Sequence, residues 1–496
     1  MTDAPPSGSF LDAPRIRVAP PGPNSRRLLD AQKRLETEAV VYSRHFPIAI
    51  AEARGSTIED VDGNRYIDWV AGVSVLNLGH RHPRLEAALA AQSRKVWHAL
   101  EVPTEARIEF LETLRGMLPG RLRDHARVLF TVTGGDAVET AVNVAEFVTR
   151  RHGVIAFSGA YHGVHGGAAN LTSGRRYHET TAFHGAQVVR VPFPNPYRPV
   201  LGDGSTAATI RYLESLLADP YSGVDEVAAV LVEPILGEGG YVVPPDDFLP
   251  ALREFCDRHG LLLIVDEIQT GLGRTGRLWC VEHTGVSPDI LCIAKTIGGG
   301  IPLSMIAYRD DLGRELPAGF HLGTYRANPL ALAVGTEVLR MLRDEPILDR
   351  VRQRGATLLR EFRDIAERHS AIGDVRGKGF MIGLEFVSDP VHRTPWGDRA
   401  REMRRQLLHT GVLMHTCGPY DQVLRFMAPL VIEEPLLARG LGLFEQALTV
   451  LEGQPAAPAA VRHAPAHPGP EPAAFPGIAP PVHTPHPPPP PGRHLP

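Results

Sequence analysis

Two stretches near the middle of the chain are apolar without alternation, and each ends in charged residues. The first runs from Leu261 to Val265 and is followed directly by Asp266 and Glu267. The second, Asp289 to Ala294, is followed by Lys295. Short continuous apolar runs are typical of parallel strands that are covered on both faces. Because ligands bind outside the carboxyl ends of such strands, we expect the acid and the lysine to meet at one edge of a sheet.

Other segments of the chain show different patterns of apolar and polar residues. Residues 55–69 alternate apolar and polar positions around the turn at Asp62 and Gly63, which predicts a β-hairpin. Residues 127–150 predict a strand, a glycine turn and a helix. Strands that alternate with helices predict an α/β fold. Helical spacing also runs through residues 30–38 and 328–369, and further strands are expected in residues 154–163, 227–245, 374–387 and 423–432.

Composition divides the chain into a body and two extensions. Residues 1–25 are rich in Pro, Ser and Gly and predict a flexible N-terminal arm. Residues 453–496 are mostly Pro, Ala and His, which predicts a disordered tail because no apolar core can form there. Between them we expect a large domain, residues 76–335, and a smaller domain built from residues 26–75 and 336–452.

Charge and cysteine content exclude several classes of function. The formal net charge is −4 over 496 residues, so a basic surface for nucleic acid is not expected. The cysteines are Cys256, Cys280, Cys292 and Cys417. They form no CxxC pair, and we expect reduced core residues rather than a metal or redox site. The chain has no long apolar span and no leader-like start, so we expect a cytoplasmic protein with no membrane partner.

A buried lysine and a buried acid at one sheet edge indicate a particular cofactor. Burial weakens the preference of a lysine amine for its charged form, which makes Lys295 a nucleophile for aldehydes. Pyridoxal phosphate needs such an amine for its aldehyde and an anion, here Asp266, for its ring nitrogen. Taken singly, a strand-end Asp is more often a helix cap, and a lone Lys is usually solvated. The pair, together with the motifs around it, favours the cofactor.

The segments around these two residues resemble the signature of the class III aminotransferases, which share the aspartate aminotransferase fold, fold type I. The segments are DEIQTGLGRTG from Asp266 and PDILCIAKTIGGGIPLS from Pro288, and the resemblance extends over residues 23–451. It implies a large domain with a mixed, mostly parallel sheet that binds pyridoxal 5′-phosphate, and a smaller α+β domain. It also implies that Lys295 binds the cofactor aldehyde and moves a proton in a ping-pong amino transfer.

By the same resemblance, the glycine turn of residues 127–150 would hold the cofactor phosphate through Gly134, Gly135 and Asp136. The family normally reads Ser-Gly-Ser/Thr-Glu here, whereas this chain has Thr133-Gly134-Gly135-Asp136. Gly135 therefore supplies an amide but no hydroxyl. A turn of this kind presents amide groups and the positive helix end to a phosphate. It lacks the lysine of a P-loop, so nucleotide binding is less favoured.

The resemblance also implies which side chains surround the cofactor ring. Tyr161 would cover one face of the ring, and Ile268 would pack on the other. Gln269 would hydrogen bond the phenolic oxygen, and Glu233 would line the site. The residues expected around the ring are Tyr161, His162, Glu233, Asp266, Ile268 and Gln269.

Substrate contacts and a partner subunit are implied in the same way. Arg425 would hold the carboxylate of 2-oxoglutarate, and Glu238 would pair with Arg425 while the amine donor is bound. Thr324 would reach the cofactor phosphate of a neighbouring subunit, which implies a homodimer with shared active sites.

Two departures from the family pattern bear on the amino donor. Many 4-aminobutyrate and ornithine aminotransferases have Arg where this chain has Val164, and Arg326 is similar to the diaminobutyrate branch. We therefore expect 2,4-diaminobutyrate or a similar ω-amino acid as donor, with 4-aminobutyrate close behind. A pyridoxal-phosphate-dependent amino acid racemase stays an alternative, because archaeal relatives with that activity share a segment like Val242 to Pro245.

Overall fold

The computed structural model describes residues 8–37, 39–178 and 187–453. Its strands are β1 (Ile50–Arg54), β2 (Thr57–Asp60), β3 (Arg65–Asp68), β4 (Ala126–Thr131), β5 (Gly153–Phe157), β6 (Gln187–Val191), β7 (Val227–Val232), β8 (Leu262–Asp266), β9 (Ile290–Ile293), β10 (Ser304–Arg309), β11 (Ile372–Lys378), β12 (Met381–Asp389), β13 (Thr394–Pro395), β14 (Val412–Leu413), β15 (His415–Cys417) and β16 (Val423–Phe426). Its α-helices are α1 (Pro23–Leu35), α2 (Tyr42–His45), α3 (Ala71–Ser74), α4 (Pro83–Ser93), α5 (Glu105–Arg115), α6 (Gly134–Thr149), α7 (Gly166–Leu171), α8 (Arg175–His178), α9 (Thr206–Ala218), α10 (Phe248–His259), α11 (Asp310–Gly313), α12 (Pro329–Asp344), α13 (Ile347–Arg368), α14 (Gly397–Thr410) and α15 (Glu434–Glu452). Short 3-10 helices cover Gly120–Leu122, Cys280–His283 and Lys295–Gly298.

Seven strands form the central sheet in the order β4-β10-β9-β8-β7-β5-β6. The neighbours from β6 to β9 pair in parallel, whereas β10 runs antiparallel to both β9 and β4. Apolar positions on both faces are covered: Ala229 and Leu231 of β7 pack in the same cluster as residues of α6, and Val230 and Val232 pack with residues of α10. This double cover explains the absence of alternation in the sequence. The expected mixed, mostly parallel sheet is confirmed.

Two smaller sheets join segments that are distant in sequence. The first has the order β1-β2-β3-β14, and the expected hairpin is confirmed, since β2 and β3 pair antiparallel around Gly63 with φ of 79°. The second has the order β11-β12-β16-β15, with β13 added to β12. Strand β14 pairs in parallel with β3, so residues 412–413 and residues 65–68 share one sheet. The division into a large and a small domain stays a prediction.

Two helices differ from the expected bounds because of proline. Helix α1 begins at Pro23 rather than at residue 30, with proline in the first turn, where its fixed φ fits the helix and its missing N–H costs nothing. The helical stretch expected over residues 328–369 is two helices, α12 and α13, separated at Glu345 and Pro346. The break follows because a residue before proline is disfavoured in the helical conformation, and Glu345 is extended.

The N-terminal segment expected to be a flexible arm is hydrogen-bonded to the body where the structure describes it. The Phe10 amide donates to Thr57 Oγ1 at 2.9 Å, and the Arg15 amide donates to the Arg65 carbonyl at 2.9 Å. Ala13 between them is fully buried. The proline-rich tail lies outside the described residues except for Gly453. Among the described helices, none combines the length and apolar character needed to cross a membrane.

Candidate active site

The two central residues of the site lie at the ends of neighbouring strands. Asp266 is the last residue of β8, and the register of β8 and β9 places it opposite Cys292, three residues before Lys295. The charges of Glu238, Asp266 and Glu233 all act on the Lys295 ammonium. The structure thus brings the acid and the lysine to one sheet edge, as the apolar runs predicted.

Lys295 has an unusual backbone and a perturbed amine. Its φ is 55°, in the left-handed region of the backbone that residues other than glycine rarely adopt. The next residue, Thr296, anchors this turn because its Oγ1 donates to the Ser74 carbonyl at 2.6 Å. Burial lowers the pKa of Lys295, against the opposing effect of the nearby carboxylates. A lowered pKa raises the neutral, nucleophilic fraction of the amine at neutral pH.

Asp266 is held in place by two contacts. Its Oδ1 accepts from the amide of Ile268 at 3.0 Å, and its Oδ2 lies 2.8 Å from Nδ1 of His162. Both side chains are almost fully buried, and the amide of His162 donates to Thr172 Oγ1 at 2.8 Å. A carboxylate with one oxygen on a backbone amide and the other on a fixed imidazole keeps its direction. Among the described residues, no partner reaches the buried Nε2 of His162.

Glu233 follows directly after β7 and holds two backbone segments together. Its Oε1 accepts from the amide of Tyr161 and its Oε2 accepts from the amide of Gly237, both at 2.9 Å. Burial raises the pKa of Glu233 to about 7, and the charge of Asp266 adds to this effect. The carboxyl group therefore positions the loop that carries Tyr161.

Gln269 points an unpaired amide into the same region. It is 7% exposed, and its buried Nε2 has no hydrogen-bond partner among the described residues. Its position requires glycine at 237, because a Cβ there would lie 1.9 Å from Gln269 Oε1. A buried amide without a partner is costly, so this atom is a candidate donor to a ligand.

The first turn of α6 is shaped to receive an anion. Thr133 Oγ1 accepts from the amide of Asp136 at 3.3 Å, and Asp136 Oδ2 accepts from the amide of Val132 at 2.8 Å. This reciprocal cap occupies both the amide and the carboxylate of Asp136. The amides of Gly134 and Gly135 come too early in the helix to reach an intrahelical carbonyl, so they can bind a phosphate.

Ile268 packs against this turn, and Tyr161 lies in the loop that follows β5. A Cβ at Gly134 would lie 3.1 Å from Ile268 Cδ1, which shows how closely the turn approaches that side chain. Tyr161 is half-buried, and its ring meets the ring of Tyr177 edge-on at 5.2 Å.

Glu238 and Arg425 form an ion pair in which only the arginine is fully buried. Arg425 lies in β16 and is fully buried, and its Nη1 is 2.5 Å from Glu238 Oε1. Burial alone would lower the pKa of Arg425, but Glu238 and other neighbours reverse this and raise it. On its other side, Nη2 lies 3.0 Å from Nδ1 of His415, a neighbour that was not expected from the sequence. A histidine inside the apolar run from Val412 to Cys417 was the available signal.

Thr324 lies apart from these buried groups, on an exposed loop. Its carbonyl oxygen accepts a hydrogen bond from Nε2 of His98 at 2.8 Å. The loop also contacts α6, because Nε2 of His321 is 2.9 Å from Thr140 Oγ1. Arg326 folds beneath the loop, where it is 5% exposed and donates to the His321 carbonyl at 2.8 Å.

The site fits pyridoxal phosphate. It offers an amine with a lowered pKa at Lys295, a fixed carboxylate at Asp266 and two helix-terminal amides. The unpaired amide of Gln269 matches an oxygen on the ring. These groups suit in turn the aldehyde, the ring nitrogen, the phosphate and the phenolic oxygen of the cofactor.

Comparisons with known proteins agree with this fit. The model of the family described as aminotransferase class-III matches residues 39–448. The chain is 37% identical to a diaminobutyrate–2-oxoglutarate aminotransferase of Rhizobium meliloti, over 82% of this chain and 89% of the relative. It is 36% identical to a 4-aminobutyrate aminotransferase of Escherichia coli, over 81% and 93%. It is also 32% identical to an alanine/serine racemase of Pyrococcus horikoshii, over 88% and 93%.

A solved structure shows the same fold with the cofactor bound. The amine transaminase from an uncultivated Pseudomonas species, in its PLP-bound form, superposes with a TM-score of 0.76 at 32% identity, over 84% of this chain and 97% of that chain. The expected fold type, cofactor and enzyme class are confirmed. The chain belongs to the class-III aminotransferase family and is a pyridoxal-phosphate-dependent transaminase.

Proposed function

We propose that the enzyme moves an amino group from an ω-amino or diamino acid, such as 2,4-diaminobutyrate or 4-aminobutyrate, to 2-oxoglutarate by a ping-pong mechanism. The names of two relatives support this choice of substrates. The observation that carries it is the ion pair between Glu238 and the fully buried Arg425, beside Lys295. Because Glu238 can neutralise Arg425 or release it, one pocket can bind two substrates of different charge, the amino donor and 2-oxoglutarate.

Lys295 and Asp266 carry the chemistry in this proposal. When bound, pyridoxal phosphate supplies an electron sink that stabilises negative charge on the substrate carbon. Lys295 would provide the amine that holds the cofactor aldehyde and, once released, would move a proton from the substrate carbon to C4′ of the cofactor. Asp266 keeps the ring nitrogen protonated, and His162 fixes the direction of the Asp266 carboxylate.

We propose the remaining cofactor contacts from the positions of the residues in the structure. The amides of Gly134 and Gly135 would bind the phosphate, and Asp136 would hold the turn there by accepting from the Val132 amide. Gln269 donates to the phenolic oxygen from its unpaired Nε2. Glu233 supports Tyr161, whose ring covers the cofactor opposite Ile268.

Glu238 and Arg425 select between the two substrates. While Glu238 neutralises Arg425, the pocket accepts a donor that places no carboxylate there. When Glu238 turns away, Arg425 is free to bind a carboxylate of 2-oxoglutarate through charge-assisted hydrogen bonds. Alternation of these two states permits both half-reactions in one site.

A homodimer with shared active sites completes the proposal. Thr324 is exposed, and its carbonyl contacts His98. The large apolar side chains of its own loop and of the segment around His98 are between 52% and 74% exposed: Trp97, Leu100, Val102, Leu322 and Tyr325. Such a patch is typical of an interface. A second copy would cover it and would bring Thr324 to the partner's cofactor phosphate. We place the enzyme in the cytoplasm, in keeping with four buried free thiols.

The test is the visible spectrum of the purified protein with pyridoxal phosphate. We expect the absorbance band of the lysine-bound cofactor to disappear on addition of 2,4-diaminobutyrate or 4-aminobutyrate and to return with 2-oxoglutarate. If no ω-amine changes the band, the proposed donors are wrong. If pyruvate restores the band and 2-oxoglutarate does not, the proposed acceptor is wrong.

A racemase is the second candidate, and the 32% identity to the alanine/serine racemase favours it. Incubation with a single L-amino acid and no keto acid separates the two activities. A racemase forms the D-isomer in many turnovers, whereas a transaminase stops after one half-reaction per site.

A further inference from the structure

Two arginines lie in one row across three strands of the five-stranded sheet. The register places Arg376 of β11 opposite Gly383 of β12, and Gly383 opposite Arg425 of β16. Residues directly opposite each other in antiparallel strands project from the same face. The sheet therefore presents Arg376 and Arg425 on one face, with a glycine between them.

The loop that carries Glu238 packs on this face. An antiparallel bridge closes the loop at its base, where the Leu236 amide donates to the Val242 carbonyl at 3.1 Å. Gly383 leaves the space that the loop occupies, because a Cβ at Gly383 would lie 2.9 Å from the Cβ of Tyr241. The loop thus lies against the sheet at the position between the two arginines.

Arg376 binds the backbone of this loop. Its Nη2 donates to the Gly240 carbonyl at 2.6 Å, and its Nε donates to the carbonyls of Gly240 and Tyr241 at 3.1 and 3.2 Å. Its Nη1 lies 2.6 Å from Asp374 Oδ2 and 2.7 Å from Glu385 Oε2. The side chain is 12% exposed. The guanidinium therefore connects the loop to two carboxylates of the sheet.

The loop conformation that Arg376 binds is strained at Tyr241. The φ of Tyr241 is 52°, in the left-handed region that is unfavourable for a bulky residue. Such a conformation persists only where the surroundings hold it. Arg376 binds the carbonyl oxygens of both peptide groups that flank the Tyr241 Cα. Without these hydrogen bonds the turn can relax, and Glu238, three residues earlier, moves with it.

Two further contacts hold the backbone around Glu238. The Glu238 carbonyl accepts from the Gly418 amide at 2.9 Å, and the Gly237 amide donates to Glu233 Oε2 at 2.9 Å. These contacts fix main-chain atoms and leave the ion pair with Arg425 to the Glu238 side chain. An exchange at Arg425 therefore needs rotation of that side chain and no movement of the loop.

We propose that Arg376 is a positioning residue that fixes the backbone of the Glu238 loop, so that Glu238 masks and releases Arg425 by side-chain rotation. This inference rests on the proposed function, in which Glu238 neutralises Arg425 while the amine donor is bound. Loosening the loop lowers the population of the masked state. An ω-amine donor then binds more weakly, whereas a dicarboxylate that needs the free Arg425 binds at least as well.

The experiment uses the holoenzyme of the variant Arg376→Lys. Lysine keeps a cation beside Asp374 and Glu385 but lacks the planar fork that binds the loop carbonyls. Single-turnover kinetics give the apparent affinity for 4-aminobutyrate. Calorimetry gives the Kd of glutarate, an unreactive dicarboxylate with the carbon chain of 2-oxoglutarate. We expect 4-aminobutyrate to bind roughly three- to tenfold more weakly and glutarate to bind at least as tightly as in the wild type.

A second variant, Gly383→Ala, keeps Arg376 and displaces the loop through the close approach to Tyr241. The same pattern is expected, and this variant decides should Arg376→Lys not fold. The matched control is Arg354→Lys. Arg354 is 15% exposed and also lies between two carboxylates, Glu361 at 2.8 Å and Glu434 at 2.9 Å. Its variant is expected to bind both ligands as the wild type does.

A double variant shows whether Arg376 acts through Glu238. In the Glu238→Gln background, Arg376→Lys is expected to cause no further loss with 4-aminobutyrate, because the carboxylate that it positions is absent. An added loss in the double variant, weaker binding of glutarate together with 4-aminobutyrate, or an unchanged affinity for 4-aminobutyrate overturns the inference. If the wild-type enzyme does not react with 4-aminobutyrate or does not bind glutarate, the proposed function fails, and this inference fails with it.

Discussion

The edge of the central sheet and the pocket around Arg425 are built in different ways. At the sheet edge, Asp266 ends one of two adjacent parallel strands and Lys295 comes shortly after the other, and Asp266 is fixed by a backbone amide and a buried histidine. Around Arg425, the contacts come from a loop, from two antiparallel strands and from α2. The first region suits a cofactor that stays in place. The second contains an ion pair that can separate, and it suits an exchange of substrates.

The contrast shows where substrate choice resides. Parallel strands covered on both faces allow little variation in the position of their ends. In a pocket assembled from separate segments, one partner such as Glu238 can change while the central sheet stays undisturbed. We therefore expect variants at the sheet edge to affect every substrate and variants around Arg425 to affect substrates selectively.

The largest effect is expected for Lys295→Ala at the sheet edge. Without the amine, neither the hold on the cofactor aldehyde nor the proton transfer is possible, so turnover falls by at least about 10³-fold for all donors. Steady-state rates with several donors measure this. Lys378→Ala is the control, because Lys378 makes a surface ion pair with Asp246 at 2.8 Å. Substantial turnover in Lys295→Ala with any donor would contradict the assigned role.

The next effect concerns stability and pH. The pKa of Glu233 is about 7 in the folded chain against a usual value of 4.5, so the folded state binds more protons between these values. The free energy of unfolding of the cofactor-free protein therefore falls as pH rises from about 4.5 to about 7, by at most about 3 kcal/mol from this group. In Glu233→Gln this contribution disappears, and denaturant titrations across this pH range should show a shallower decline.

The control for that experiment is Glu214→Gln. The hydrogen bond from Arg258 lowers the pKa of Glu214, so its contribution lies below pH 4.5 and decreases as pH falls. In Glu214→Gln, the free energy of unfolding should therefore decline between pH 4.5 and 7 as steeply as in the wild type. An unchanged decline in Glu233→Gln would show that another group is responsible.

A selective effect is expected for Glu238→Gln. The neutral amide cannot mask the charge of Arg425, so kcat/KM for an ω-amine donor falls about tenfold while that for glutamate does not. Initial rates with both donors measure the ratio. Glu361→Gln, which disturbs an ion pair with Arg354 of 2.8 Å, serves as control. An equal loss of kcat/KM with the ω-amine donor and with glutamate would contradict the distinction between the sheet edge and the pocket around Arg425.

The smallest effect is expected for Gly237→Ala. A Cβ at this position would lie 1.9 Å from Gln269 Oε1, so Gln269 must shift, and cofactor affinity weakens by roughly three- to tenfold. Equilibrium titration with pyridoxal phosphate measures the change. Gly442→Ala is the matched control, since a Cβ there meets no atom within 4 Å. Equal affinities in the two variants would show that Gln269 does not contact the cofactor.

Several elements followed from local pattern. The apolar runs before Asp266 and Lys295 predicted buried parallel strands, and the hairpin at Gly63 followed from alternation around a turn. The family resemblance supplied the pairing of Glu238 with Arg425. The helix break at Pro346 was missed, although the residue type alone signals it.

Other features were not accessible from the sequence. His415 and Arg425 are ten residues apart, and only the register of β15 and β16 places them opposite each other. His45 is 370 residues from His415, yet their rings are in contact. The hydrogen bond from the Val132 amide to the Asp136 carboxylate also required the geometry of the turn.

The sequence by itself determined the strands, the residues at their ends and the chemistry these residues can perform. Periodicity and residue type act locally, so they can be recognised along the chain. Only the tertiary structure decided which polar atoms meet. Contacts such as His45 with His415, and His415 with Arg425, depend on strand order and register, which bring distant segments together when the apolar faces are buried.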